Sequence, residues 1–115
     1  MSFWFVYIAR CADDSVYIGI ARDVRARVAA HDAGRGARYT RGRGPLDVLA
    51  TRRCATQGNA LRLEAALKRL AHGKRLEVAA SKEKLASLAK SVREASRQRS
   101  SSLANRGGGM RKTSS

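Results

Sequence analysis

Apolar residues run almost unbroken from Phe3 to Ala9, with aromatic and β-branched side chains among them, and a second apolar run goes from Val16 to Ile20. Runs of this length and composition predict strands. Between them lies Ala12-Asp13-Asp14-Ser15, which is turn chemistry, because Asp carboxylates bond to nearby backbone N–H groups. Residues 3–11 and 15–20 therefore read as a hairpin. Asp23 is placed to cap a helix running to about residue 33, with Gly34 as its stop. On that helix Ile20, Val24 and Val28 read as an apolar stripe, and Asp23, Arg27 and His31 step by four beside it. Residues 46–54 predict a third strand and residues 58–71 a second helix, with a shorter helical piece after His72-Gly73.

Beyond residue 81 the pattern changes. Leu85, Leu88 and Val92 share one helical face, so residues 82–95 predict an amphipathic helix. From Ser96 the chain is mostly Ser, Arg and Gly, which predicts a disordered basic tail over 96–115. The expected fold is α+β, a small three-stranded antiparallel sheet flanked by helices, in the order strand, strand, helix, strand, helix, helix. The expected units are a domain over 1–80, the amphipathic helix over 81–95 and the tail. No internal repeat is visible.

Charge changes the picture more than length does. Among 115 residues, 24 are Lys or Arg and 9 are acidic, a net charge of +15. Residues 1–80 hold 15 basic and 7 acidic residues, so the excess is not confined to the tail. A basic folded part points to a polyanionic partner, most simply nucleic acid. Cys11 and Cys54 are the only cysteines, and with His31 and His72 they have no zinc-finger spacing, so they read as reduced, buried thiols of a cytoplasmic protein. The apolar opening is too short to span a membrane and lacks the basic flank of a signal peptide. No obligatory protein partner is evident.

The candidate chemistry is sparse. On the second helix Ala60, Leu63, Leu67, Leu70 and Ala71 form an apolar arc, and Glu64 falls at its edge. A carboxylate there needs a partner. Lys68, one turn on, would be the ordinary one; a hard cation held by one carboxylate, waters and substrate phosphate is the other. Tyr7 and Tyr17 could be core aromatics or site residues. Arg27 could be a solvated charge or a phosphate ligand. Arg35, Arg38, Arg41 and Arg43 alternate with glycines around Tyr39, which reads as a solvated loop or as a clamp on a phosphate backbone.

Together these residues resemble the GIY-YIG nuclease domain over about residues 3–80. Tyr17-Ile18-Gly19 matches its second signature tripeptide, and Phe5-Val6-Tyr7 stands where the first would be, keeping the tyrosine but not the glycine. Ala21 stands where the family often has a hydroxyl residue. Arg27 sits at the place of the family's catalytic arginine, Glu64 at that of its metal-binding glutamate, and His31 at that of a frequent histidine. Gly34 to Arg41 looks like the loop of the small stand-alone bacterial members. The resemblance implies an endonuclease that hydrolyses DNA phosphodiester bonds with one Mg²⁺ or Mn²⁺ on Glu64, in repair or in processing of branched or single-stranded DNA. It implies Tyr7 as the proton acceptor, with Arg27, Tyr17 and His31 about the phosphate and water. Arg35, Arg38, Tyr39, Arg41, Arg43 and Lys68 would bind the nucleic acid, DNA first and RNA as the open alternative. The competing readings are a non-catalytic nucleic-acid-binding protein that keeps the fold, and a protein-interaction domain with a basic tail.

Overall fold

The structure is a computed structural model that describes residues 3–33 and 45–106, with side chains to Arg97. Strands β1 (Trp4–Arg10) and β2 (Val16–Ala21) form the expected hairpin, with Tyr7 opposite Gly19 and Ile8 opposite Ile18. The turn is held by Asp13 Oδ1, which accepts from Ser15 N at 3.1 Å and Ser15 Oγ at 2.6 Å. Asp14 takes a φ of 73°, a conformation that Asp tolerates better than most residues. Strand β3 (Asp47–Cys54) pairs with the other edge of β1, giving an antiparallel sheet in the order β2-β1-β3. The fold is therefore α+β with a three-stranded antiparallel sheet, as the pattern predicts.

Strand alternation gives the sheet two apolar faces. Val6, Ile8, Val16 and Ile18 pack against α2 (Gln57–Lys68), α3 (His72–Ala79) and α4 (Lys82–Arg106) through Ala60, Leu63, Leu67, Val78, Leu85 and Ala89. Tyr7, Ala9, Cys11 and Ala21 form the opposite face, closed by Leu46 and by Val24 and Val28 of α1 (Val24–Asp32). Asp23 caps α1 by accepting from Ala26 N at 3.0 Å. Asp32 Oδ1 accepts from Leu46 N at 3.0 Å, which ties the end of α1 to the approach to β3.

Four expectations are corrected. Ile20 belongs to β2 and packs on the α2–α4 face, so it is no part of the α1 stripe. His31 is buried rather than on a solvated polar stripe beside the exposed Arg27. Helix α2 begins one residue earlier than expected, capped by Thr56, whose side chain accepts from Asn59 N, and stops at Lys68 instead of residue 71. Its last carbonyls are taken by Arg75, whose Nη2 donates to Lys68 O at 2.7 Å and Nε to Leu70 O at 3.0 Å, leaving Ala71 exposed. Helix α4 continues to Arg106, eleven residues past the expected end at 95. No Gly or Pro interrupts the chain between Gly73 and Gly107, and Ala, Leu, Gln and Arg offset the modest helix cost of the serines. The expected disorder over 107–115 lies outside the described residues, as do Gly34 and the arginine loop to Gly44.

Candidate active site

Tyr7 is at the centre of the face covered by α1. It is fully buried, and its cross-strand partner is Gly19. A Cβ at position 19 would stand 2.7 Å from Tyr7 Oη, 2.8 Å from Cζ and 3.0 Å from Tyr17 Cε2. The glycine is what lets the phenol lie across β2. Tyr17, two residues before Gly19 on the same face, brings its ring centroid to 6.0 Å from that of Tyr7 at an interplanar angle of 48°. His31 then meets Tyr17 edge-on, with centroids 5.5 Å apart. Two strands and one helix thus build a ladder Tyr7–Tyr17–His31.

Electrostatics connect this ladder to the two charged candidates. Burial pushes the Tyr7 hydroxyl well above the ordinary tyrosine range, and a charged Tyr17 would push it further. The Arg27 guanidinium acts in the opposite direction, and the Glu64 carboxylate adds a small upward push. Both charges are therefore within electrostatic reach of one hydroxyl. Tyr17 also acts on this hydroxyl as a weak hydrogen-bonding neighbour, yet no described group reaches full hydrogen-bond geometry with Tyr7 Oη, the one buried side-chain polar atom without such a partner among the described residues. A buried hydroxyl left without a bond costs about 1–3 kcal/mol. For His31, burial comes first and the Arg27 charge second in lowering its pKa below 6.5, with Asp32 opposing them.

Glu64 is on α2, which packs on the other face of the sheet from α1, and both helices contact β2. Its side chain is 19% exposed, and Lys68 Nζ lies 3.4 Å from Oε2, so the ordinary i,i+4 pair is formed. Among the described residues no three His, Cys, Asp or Glu side chains cluster as a metal cage. A cation here would rest on one carboxylate with waters and phosphate oxygens, a donor set that suits Mg²⁺ or Mn²⁺. The half-buried Glu64 and the unpartnered Tyr7 hydroxyl fit that arrangement. At the edge of β2 a cavity of about 410 Å³ is lined by Val16, Tyr17, Ile18, Lys68 and Arg75.

The structure thus brings Tyr7, Tyr17 and His31 into one ladder, with Arg27 acting through charge on Tyr7 and His31, Glu64 on Tyr7, and Lys68 bound to Glu64. Arg35, Arg38, Tyr39, Arg41 and Arg43 lie outside the described residues. Arg75 was not apparent as a site neighbour, because its place depends on the break between α2 and α3, which periodicity does not show. Cys11 and Cys54 are both buried and unbridged, and no described helix is long and apolar enough to cross a membrane.

Comparison with known proteins adds an independent line. A UPF0213 protein of Cupriavidus necator is 46% identical over 69 residues, covering 60% of this chain and 75% of that protein. A UPF0213 protein of Natronomonas pharaonis is 42% identical over 71 residues, covering 62% of this chain and 84% of that protein. The solution NMR structure of a UPF0213 protein from Bacillus halodurans is 40% identical, covers 68% of this chain and 82% of that one, and superposes with a TM-score of 0.44. The family model of the GIY-YIG catalytic domain matches residues 3–76, the span that holds the tyrosine ladder, Arg27 and Glu64, and the chain belongs to that nuclease family.

Proposed function

We propose that this protein is a divalent-metal-dependent endonuclease that hydrolyses phosphodiester bonds, with DNA as its substrate and branched or single-stranded DNA preferred in repair or processing. The observation that carries the reading is the buried hydroxyl of Tyr7 over Gly19, unpartnered among the described residues and within electrostatic reach of one arginine and one carboxylate. Folding alone gives no reason to bury a hydroxyl without a bond, whereas a water or phosphate oxygen of the substrate would satisfy it. A phosphate oxygen would satisfy that hydroxyl with or without cutting, so cleavage itself decides between this reading and a binding-only role.

In this reading Arg27 grips the non-bridging oxygens through its planar fork and steadies charge as it develops on them. Glu64 would hold a Mg²⁺ or Mn²⁺ ion, which supplies Lewis acidity toward the phosphate. Tyr7 Oη orients the attacking water and accepts its proton. Burial opposes that step, so Arg27 is needed to ease it. Tyr17, edge-on to His31, keeps the Tyr7 ring aligned. Lys68 and the loop residues Arg35, Arg38, Tyr39, Arg41 and Arg43 bind the backbone and give affinity without a base code. Two free buried thiols suit a reducing compartment, so the reading puts the enzyme in the cytoplasm.

The test is cleavage of matched duplex, forked and single-stranded DNA and of RNA, with Mg²⁺, Mn²⁺ or chelator. Metal-dependent cutting by the purified protein, lost in Glu64→Ala, is expected. Binding of every substrate with no cutting under any metal would replace the reading with the non-catalytic one.

A further inference from the structure

A second basic cavity lies away from the tyrosine ladder, between the end of β3, the start of α2 and the middle of α4. Its volume is about 260 Å³, and its polar lining is Arg52, Arg53, Asn59 and Arg93 over an apolar floor that includes Leu63 and Ala89. Among the described residues no carboxylate lines it. Some surface cations are matched by carboxylates: Arg10 with Asp14 and Asp47, Lys68 with Glu64, and Lys74 and Lys84 with Glu77. Among the described residues Arg52 and Arg93 have no such ion pair, and Arg53 lies over the Phe3 ring at 4.5 Å. Asn59 Oδ1 is occupied by Arg62 Nη1 at 3.4 Å, which leaves its amide group to serve as a donor.

Convergence of the two arginines has an independent sign. The thiol of Cys54, in the same lining, is held up by burial, yet Arg52 from the strand and Arg93 from α4 both pull it down. Both positive charges therefore bear on one point, although they come from elements far apart in sequence. Two unmatched guanidiniums around a concavity suit a tetrahedral anion with several acceptor oxygens. On a chain of net charge +15 the anion of that chemistry is a phosphate group.

We propose that this cavity is a second phosphate site, which takes a backbone phosphodiester of the nucleic acid at a distance from the bond being cut. The proposal rests on the nucleic-acid reading above, but not on cleavage. Strand β3 is separated from β2 by β1, and the two sites share α2, with Asn59 and Leu63 at one and Glu64 and Lys68 at the other. A strand of nucleic acid lying along α2 would engage both. Arg52 and Arg93 would contribute affinity and register, and no chemistry.

The experiment measures binding of a fluorescent single-stranded DNA oligonucleotide, without divalent metal, over a series of salt concentrations. Wild type is compared with Arg52→Gln/Arg93→Gln and with Arg93→Gln alone. Arg93 is exposed on α4, so the single variant protects the test against misfolding of the double one. Each lost phosphate contact should flatten the slope of log affinity against log salt by about 0.7. Single-turnover cleavage at saturating DNA should stay at the wild-type rate. A flatter slope with unchanged single-turnover cleavage supports the site. If no variant ever cuts, the nuclease reading fails while a flatter slope still supports the phosphate site. Unchanged slopes and affinities in both variants overturn it. A parallel titration with inorganic phosphate, followed by the amide resonances of Cys54 and Asn59, separates the sources. Arginine-dependent shifts with no change in DNA binding would assign the cavity to a small phosphorylated ligand and overturn the backbone proposal.

Discussion

Tyr7 and Gly19 face each other across the β1–β2 pair so closely that a methyl group at position 19 would stand 2.7 Å from the phenol oxygen. The ring cannot move aside easily, because it is fully buried, and Tyr17 crowds the same point with Cε2 3.0 Å from that methyl position. Gly19→Ala should therefore cost about 1–3 kcal/mol, the usual range for overpacking a core, and should displace the Tyr7 hydroxyl. Urea unfolding measures the first effect and cleavage the second. Gly73→Ala is the control, since a Cβ there meets nothing within 4 Å and sits in a helix, where it should add about 0.5–1 kcal/mol. Equal stabilities for the two variants would mean that the close approach does not restrain the site.

Tyr7→Phe should separate stability from activity. It removes a buried hydroxyl that has no partner among the described residues, so the variant should be about 1 kcal/mol more stable than wild type while cleavage is lost. The same hydroxyl predicts the pH profile. Burial holds its pKa above the ordinary tyrosine value, so its ionised fraction, and with it the rate, should climb about tenfold per pH unit through the neutral and mildly alkaline range. A flat profile there, with intact protein, would remove Tyr7 as the proton acceptor.

Much of this was legible in the chain because the deciding signals are local. The two short apolar runs, the Asp-rich turn and the Asp23 cap lead directly to β1, β2 and α1. Tyr17-Ile18-Gly19 marks the strand that carries the close approach, although nothing in the string says that Tyr7 is the side chain lying over the glycine. That depends on cross-strand register, which hydrophobic alternation sets only once both strands have chosen their faces. His31 looked like part of a solvated stripe because helical spacing alone does not say which flank a sheet will cover. The length of α4 was missed because a serine-rich composition suggests disorder more strongly than the absence of Gly and Pro suggests a helix. The Arg52–Arg93 convergence joins a strand to a distant helix and has no local signature.

His31 should make the fold acid-sensitive in a defined window. The unfolded imidazole takes its proton near 6.5, while the folded one, buried and near Arg27, resists until a lower pH. Between those values the unfolded chain binds more protons, so stability rises with pH there. The contribution is complete above about pH 6.5 and is lost as the pH falls through the folded value. Thermal midpoints measured from neutral to mildly acid pH should decline in wild type and decline less in His31→Gln. Parallel curves for the two proteins would show that His31 is not the group responsible.

The charged pair on α2 gives the sharpest test of chemistry against structure. Glu64 is bound to Lys68 at the edge of the helix, where a partly exposed ion pair contributes at most about 1 kcal/mol. Glu64→Gln keeps the side-chain volume and removes the charge. It should leave the unfolding midpoint nearly unchanged and nucleic-acid binding intact, yet abolish metal-stimulated cleavage. Arg27→Ala acts at an exposed position on α1 and should lower single-turnover cleavage by about 10²-fold or more, again with little change in stability. Lys68→Ala breaks the same ion pair from the other side without touching the carboxylate, so it should weaken binding but preserve the cleavage rate of bound substrate. If Glu64→Gln and Lys68→Ala lose activity equally, the ion pair is what matters and Glu64 has a structural role. If only Glu64→Gln is inactive, the carboxylate itself is the catalytic group.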